Sequence, residues 1–456
     1  MTDLESELRS AVGAAHVLVD PDLRAPYETD WTRRFTGTAR CVVRPASTAE
    51  VVAVVRACAA AGAAIVVQGG NTGLVGAGVP AGGEVLVSLA RLAGVEPVDV
   101  VEAQVTVGAG VTLEKLQAHA HTAGLDFGVD LAARSSATVG GMIATNAGGM
   151  RVLRHGSMRG QVAGLEAVLA DGTVLTRLGG LAKDNTGYDL SQLVAGSEGT
   201  LAIVTRARLR LVPRLPARAA ALVAVAGTEA ALDLLAAARA RLTTLSAAEI
   251  FYPEGLELVR TYGRLPAPFG EPAGAYVVLE CAASTDPTDD ILDMLSACTA
   301  VADATVASDR AGLARLWSYR EMHTEAISAA GVPTKLDVCV PLGELTALVA
   351  ELPETVARAA PKARVITFGH LNEGNLHLNV LDDGDNSENR AEDVTDAVLR
   401  LVAAHRGTIS SEHGVGRAKS PWLSLSRTPE EIGAMRRIKA ALDPDAILNP
   451  GVLLPR

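Results

Sequence analysis

The sequence predicts an α+β chain of two large domains, the first glycine-rich and the second alternating helices with strands. Three observations carry this expectation. The chain has 456 residues, enough for two substantial cores. Glycine supplies 44 of them, above the usual share of roughly 7%, and the excess falls mainly in the first half. From about Arg214 the composition turns to Ala/Leu-rich helical windows separated by short apolar runs.

Residues 1–36 form an N-terminal segment. Asp3, Glu5 and Glu7 stand where a secretory leader would carry a basic start, so a cytoplasmic location is expected. The longest apolar stretch, Ala57 to Val67, is well short of the roughly 18 residues of a membrane span. A formal net charge of −11 with no Lys/Arg block argues against nucleic acid as a partner. The cysteines at 41, 58, 281, 298 and 339 are widely spaced and read as reduced, buried thiols rather than cluster ligands.

The first domain is expected over 37–214. Ser47 to Ala63 opens with a Ser/Thr cap and Glu50 and repeats apolar residues at helical spacing before the strand Ala64 to Val67. The strand breaks at Gln68 into Gly69-Gly70-Asn71-Thr72-Gly73-Leu74, a run whose backbone amides can converge on an anion. A second such segment, Ser135 to Gly149, includes Ser136, Thr138, Gly140, Gly141, Thr145, Asn146, Gly148 and Gly149. A third places Glu198 and Gly199 before an alternating strand, Leu201 to Leu211, that contains Ile203. Gly108-Ala109-Gly110 lacks the third glycine of a dinucleotide fingerprint, Leu113 standing there, and no glycine precedes a lysine as a Walker A loop requires.

The second domain is expected over 215–445. Its chemistry concentrates in Val365 to Leu381, two alternating runs joined by Asn372-Glu373-Gly374-Asn375. If Leu371 pairs with Leu376, His370 lies opposite His377 and Asn379 shares their face, a pattern suited to metal ligation; separately packed histidines are the competing reading. Glu412 offers a third ligand, and its neighbour His413, pointing the other way on extended backbone, offers a base. Arg320 and Thr324, four apart, predict one helix face carrying a cation, and Lys335 follows. A solvated pairing of Arg320 with Glu321 or Asp337 is the alternative.

Over nearly its whole length the chain resembles the flavin-dependent D-2-hydroxyacid dehydrogenases of the vanillyl-alcohol oxidase/p-cresol methylhydroxylase superfamily. The likeness rests on Gly69-Gly-Asn-Thr-Gly-Leu, Ser136-Ala-Thr-Val-Gly-Gly, Thr145-Asn-Ala-Gly-Gly, Gly196-Ser-Glu-Gly-Thr-Leu, Gly369-His-Leu-Asn-Glu-Gly-Asn-Leu-His, Ser411-Glu-His-Gly-Val-Gly and Ile447-Leu-Asn-Pro-Gly, in that order. It implies a flavoprotein with a PCMH-type FAD-binding domain, a cap domain on an antiparallel sheet, and a C-terminal segment, 446–456, returning to the first domain through Asn449. It implies FAD with its pyrophosphate along Gly69 to Leu74 and its ring near Gly140, Gly141 and Asn146. Asn71 stands where covalently flavinylated relatives have histidine, which implies a non-covalent flavin.

The resemblance further implies a divalent metal on His370, His377 and Glu412. Zinc suits these donors best, and manganese or iron is compatible. Arg320, Thr324, Lys335 and Asn379 are implied around the substrate, with His413 as base. The reaction implied is oxidation of a D-2-hydroxyacid, D-2-hydroxyglutarate to 2-oxoglutarate, by hydride transfer to flavin N5. D-lactate or glycolate is the alternative substrate, and a non-catalytic flavin subunit of a redox complex is the alternative from another class. An electron acceptor such as electron-transfer flavoprotein, a quinone or a cytochrome is the expected partner, with a homodimer the assembly to test.

Overall fold

The computed structural model describes residues 4–382 and 387–455, which fall into two compact units. The first comprises Met1–Gly149, His155–Arg214 and Glu412–Arg456; the second comprises Met150–Arg154 and Leu215–Ser411. The second unit thus ends at Ser411, and residues 412–445, expected in the cap domain, are grouped with the glycine-rich unit, as is the N-terminal segment.

The first unit holds two four-stranded sheets around one core. In one, Cys41–Val43, Val85–Ser88 and Ile65–Gln68 run parallel, with Val17–Leu18 antiparallel at the edge. Helix Thr48–Ala60 delivers the chain to strand Ile65–Gln68; Ser47 caps it, and its buried face is Val51, Val54, Val55, Ala57 and Cys58. The C-terminal segment returns beside this strand through a parallel bridge between Leu448 and Ile65. The other sheet, in the order Gln104–Gly108, Ile203–Arg210, Val162–Val168, Val174–Arg177, is antiparallel.

The second unit is built on a seven-stranded antiparallel sheet in the order Val301–Ala307, Ala217–Val225, Ala275–Ala283, Leu245–Phe251, Arg364–His370, Asn375–Leu381, Thr334–Cys339. Leu222, Phe251, Tyr276, Val278, Ile366 and Phe368 share one side of it. They form a core with Leu256, Val259, Leu316, Tyr319 and Ile327 from helices Pro253–Gly263, Arg310–Glu321 and His323–Ala330. Among the described residues no helix is long and apolar enough to cross a membrane.

Two local expectations are corrected. The hairpin does not pair Leu371 with Leu376. Leu371–Glu373 form a 3₁₀ turn and Gly374 takes φ 72°, so the closing pair is His370 with Asn375, and His377 opposes Phe368. The pairing has slipped by two residues, and an even slip leaves every side chain on its original face. His370, His377 and Asn379 therefore share a face, the histidines as diagonal neighbours.

The second correction concerns Arg320 and Thr324, which do not share a helix face. Helix Arg310–Glu321 ends at Met322 and another begins at His323. The reason lies in His323, whose Nδ1 lies 3.1 Å from the Arg320 carbonyl and donates to it, competing for the acceptor that Thr324 would use in a continuous helix. Thr324 is left exposed at the start of the next helix.

Candidate active site

In the sheet of the second unit, ladder register alone places a set of polar groups on one face. Glu249, His370, Asn375 and Cys339 stand in one row across four strands; Phe251, Phe368, His377 and Asp337 stand in the next; Ile366, Asn379 and Lys335 stand in a third. Buried polar groups need partners. His370 Nδ1 lies 2.6 Å from Glu249 Oε1, and His377 Nδ1 lies 3.8 Å from Asp337 Oδ1. Asp337 also accepts from Asn375 Nδ2 at 2.8 Å and from the Ser411 amide at 3.0 Å.

The two imidazoles meet edge to face, with ring centroids 5.2 Å apart and Nε2 atoms 3.4 Å apart. A carboxylate can only accept, so the proton of a neutral His370 sits on Nδ1 and its Nε2 carries a lone pair directed at His377. Two imidazole nitrogens bound to one tetrahedral ion at about 2.0–2.1 Å stand about 3.3–3.4 Å apart, so the observed separation fits a shared divalent cation. The two imidazoles, two of the three implied ligands, are spaced for such an ion.

Arg320 reaches the same face from its helix. Its Nη2 lies 2.7 Å from Glu249 Oε2, an ion pair lacking hydrogen-bond alignment, and its guanidinium carbon lies 4.5 Å from the Phe368 ring centroid. Arg320 is 8% exposed, and its Nε has no partner, which leaves a buried donor for an anion. The solvated pairing with Glu321 or Asp337 gives way to this buried pair with Glu249. His323, packed between Phe251 and Phe368, is held neutral, burial pushing its pKa down to about 3.

Within the first unit, Gly69 and Gly70 pass against Thr138 and the Ser136 carbonyl so closely that a Cβ at either would collide. No amide from Gly69 to Leu74 donates to another group among the described residues. Orphaned amides beside glycines form a cradle for an anion such as a pyrophosphate. Asn71 takes φ 53° and donates through Nδ2 to the Thr29 carbonyl at 2.8 Å.

Thr138 caps helix Val139–Thr145, and Asn146 ends it in the left-handed region. The Asn146 side-chain oxygen accepts from the Arg159 amide and the Ser157 hydroxyl, and Thr145 Oγ1 donates back to the Gly141 carbonyl. Gly140 packs against Ala109, which accounts for that glycine by helix–strand contact. Gly148, Gly149 and Ile203 are buried.

Glu198 is the keystone of this unit. Its carboxylate oxygens accept from the Val415 and Gly416 amides at 2.8 and 2.7 Å, and its carbonyl accepts from Asn449 Nδ2 at 2.7 Å. Asn449 also accepts the Val67 amide at 2.9 Å through Oδ1. Burial pushes the Glu198 carboxyl up to about 6 despite the two amides. In the same unit Glu412 Oε1 lies 3.6 Å from His413 Nε2, so the two side chains turn toward each other rather than apart, because residues 411–413 form a bend and not extended strand.

Glu249, Asp337 and His323 were missed by sequence reasoning. Glu249 sits in an apolar strand, Leu245–Phe251, and a lone acidic residue there was the available signal. The sequence offers Asp337 only as a surface partner of Arg320.

A model of the FAD binding domain matches residues 39–177, and one of the FAD linked oxidases, C-terminal domain, matches residues 214–453. The mitochondrial D-2-hydroxyglutarate dehydrogenase of Bos taurus is 40% identical, the match covering 96% of this chain and 81% of that protein. The D-2-hydroxyglutarate dehydrogenase of Xanthomonas citri pv. viticola is 40% identical over 98% and 96%. The solved structure of p-cresol methylhydroxylase with substrate bound shares the fold, with a TM-score of 0.79 at 15% identity, covering 99% of this chain and 96% of that one. With its orphaned amide cradle and its imidazole-bearing antiparallel sheet, the chain belongs to the FAD linked oxidases, as an FAD-dependent oxidoreductase of the D-2-hydroxyglutarate dehydrogenase family.

Proposed function

We propose that the chain oxidises D-2-hydroxyglutarate to 2-oxoglutarate with non-covalent FAD and a divalent metal, zinc being the best match to its donors. The observation that carries the reading is the pair of Nε2 atoms 3.4 Å apart on a sheet face that also bears Arg320 and Lys335. FAD, when bound, would supply the hydride acceptor, and a divalent metal, which His370, His377 and Glu412 would hold, would supply Lewis acidity.

Every other part belongs to the chain. Arg320 receives one substrate carboxylate through its unpartnered Nε, and Lys335, directly opposite Asn379 in the ladder, adds charge for a second. Glu412 is the third ligand of the proposed set, next in the chain to Ser411, whose amide is bonded to Asp337. His413 accepts the hydroxyl proton. Two cations on this face favour a dicarboxylate over D-lactate or glycolate.

The test is anaerobic flavin bleaching by D-2-hydroxyglutarate, D-malate, D-lactate, glycolate and the L-isomers, with kcat/KM for each. D-2-hydroxyglutarate should be used most efficiently. A clear preference for D-lactate, or bleaching by L-isomers alone, would refute the proposal.

A further inference from the structure

Strand Leu245–Phe251 is buried throughout and otherwise apolar or small, yet it carries Glu249, 1% exposed. An ionised carboxylate at such a position must be fully engaged. Arg320 alone could balance its charge, but only one oxygen is used so; the other meets His370 Nδ1. Glu249 opposes His370 directly across the strand pair, so this contact is built into the ladder.

We propose that Glu249 is a positioning residue shared by the two halves of the site. One oxygen fixes the His370 ring with its proton on Nδ1, which turns Nε2 toward His377 as a metal donor. The other holds the Nη2 side of the Arg320 guanidinium over Phe368 and leaves Nε to receive a substrate carboxylate. A single carboxylate therefore sets the spacing between the group that binds the cation and the group that grips the substrate. A partner of a metal-bound imidazole commonly changes metal affinity by 10- to 100-fold when removed, so the effect is measurable.

The inference rests on the function proposed above, and the experiment separates the two. Full-length FAD-loaded wild type, Glu249→Gln and Glu249→Ala are titrated with Zn²⁺ against a competing chelator, and KM and kcat for D-2-hydroxyglutarate are measured beside flavin content and Tm. Both variants should bind zinc more weakly, Glu249→Ala by about 10-fold or more. Glu249→Gln should lose less, because its amide oxygen still accepts from Nδ1. KM should rise in both as Arg320 loses its anchor.

Lower Tm or flavin content with zinc affinity and KM unchanged would make Glu249 merely structural and overturn the inference. So would a change in zinc affinity or KM without the other. If Glu249→Ala does not fold, the isosteric Glu249→Gln carries the test. A wild type that holds no zinc, or whose flavin is not bleached by D-2-hydroxyglutarate, would overturn the functional reading and this inference with it; a competent wild type with unaltered variants would sink the inference alone.

Discussion

Replacing Glu198 by alanine should weaken the fold more in acid than at neutral pH, the reverse of what removing an ordinary paired carboxylate does. The Glu198 carboxyl is pushed up to about 6 from an ordinary 4.5, chiefly by burial, with the Val415 and Gly416 amides and then Lys419 pulling it partly back. A raised value means that the fold holds the proton more tightly than the unfolded chain. The resulting stability is complete below about pH 4.5 and is lost as pH climbs through about 6. The span corresponds to about 2 kcal/mol, at 1.36 kcal/mol per unit.

Alanine also leaves the Val415 and Gly416 amides without their acceptor, costing about 1–3 kcal/mol each whatever the pH. The gap between wild type and Glu198→Ala should therefore be roughly 2 kcal/mol wider at pH 4.5 than at pH 7.5. Urea unfolding of the FAD-loaded proteins, followed by flavin fluorescence across that range, measures it. A gap that is constant, or that widens toward alkaline pH, would refute the burial argument.

Gly70→Ala should lower FAD content sharply with little loss of secondary structure, because its Cβ would stand inside contact distance of the Ser136 carbonyl and force the cradle open; wild-type FAD affinity on titration would contradict this. Arg320→Met leaves the Glu249 carboxylate buried without its cation and should cost about 3–5 kcal/mol in urea unfolding, much of it restored in the Arg320→Met/Glu249→Gln double variant. Chelation should abolish flavin bleaching by D-2-hydroxyglutarate, and added Zn²⁺ should restore it in wild type and not in His377→Ala; turnover intact after the metal is stripped would exclude a metal role.

Particular residues show how far the sequence could be read. The glycine runs at 69–74 and 135–149 announced a backbone-lined cradle, since only glycine permits approach as close as that of Gly70 to Ser136. The face shared by His370, His377 and Asn379 was legible because side chains alternate along a strand, and it survived a register slip of two. The helix break at Met322 was not legible. It arises from a buried His323 that competes for a backbone carbonyl, and no proline or glycine marks it.

By itself the sequence determined what depends on local backbone geometry: the capped helix and buried strand before the cradle, the alternation that gathers imidazoles on one face, and the seven motifs of the superfamily. Only the tertiary structure decided the partners. Glu249 meets His370 from 121 residues away, and Glu198 takes the Val415 and Gly416 amides from 217 and 218 residues away. Periodicity says which way a side chain faces; burial decides which distant group must satisfy it, because an unpaired buried charge is too costly to persist.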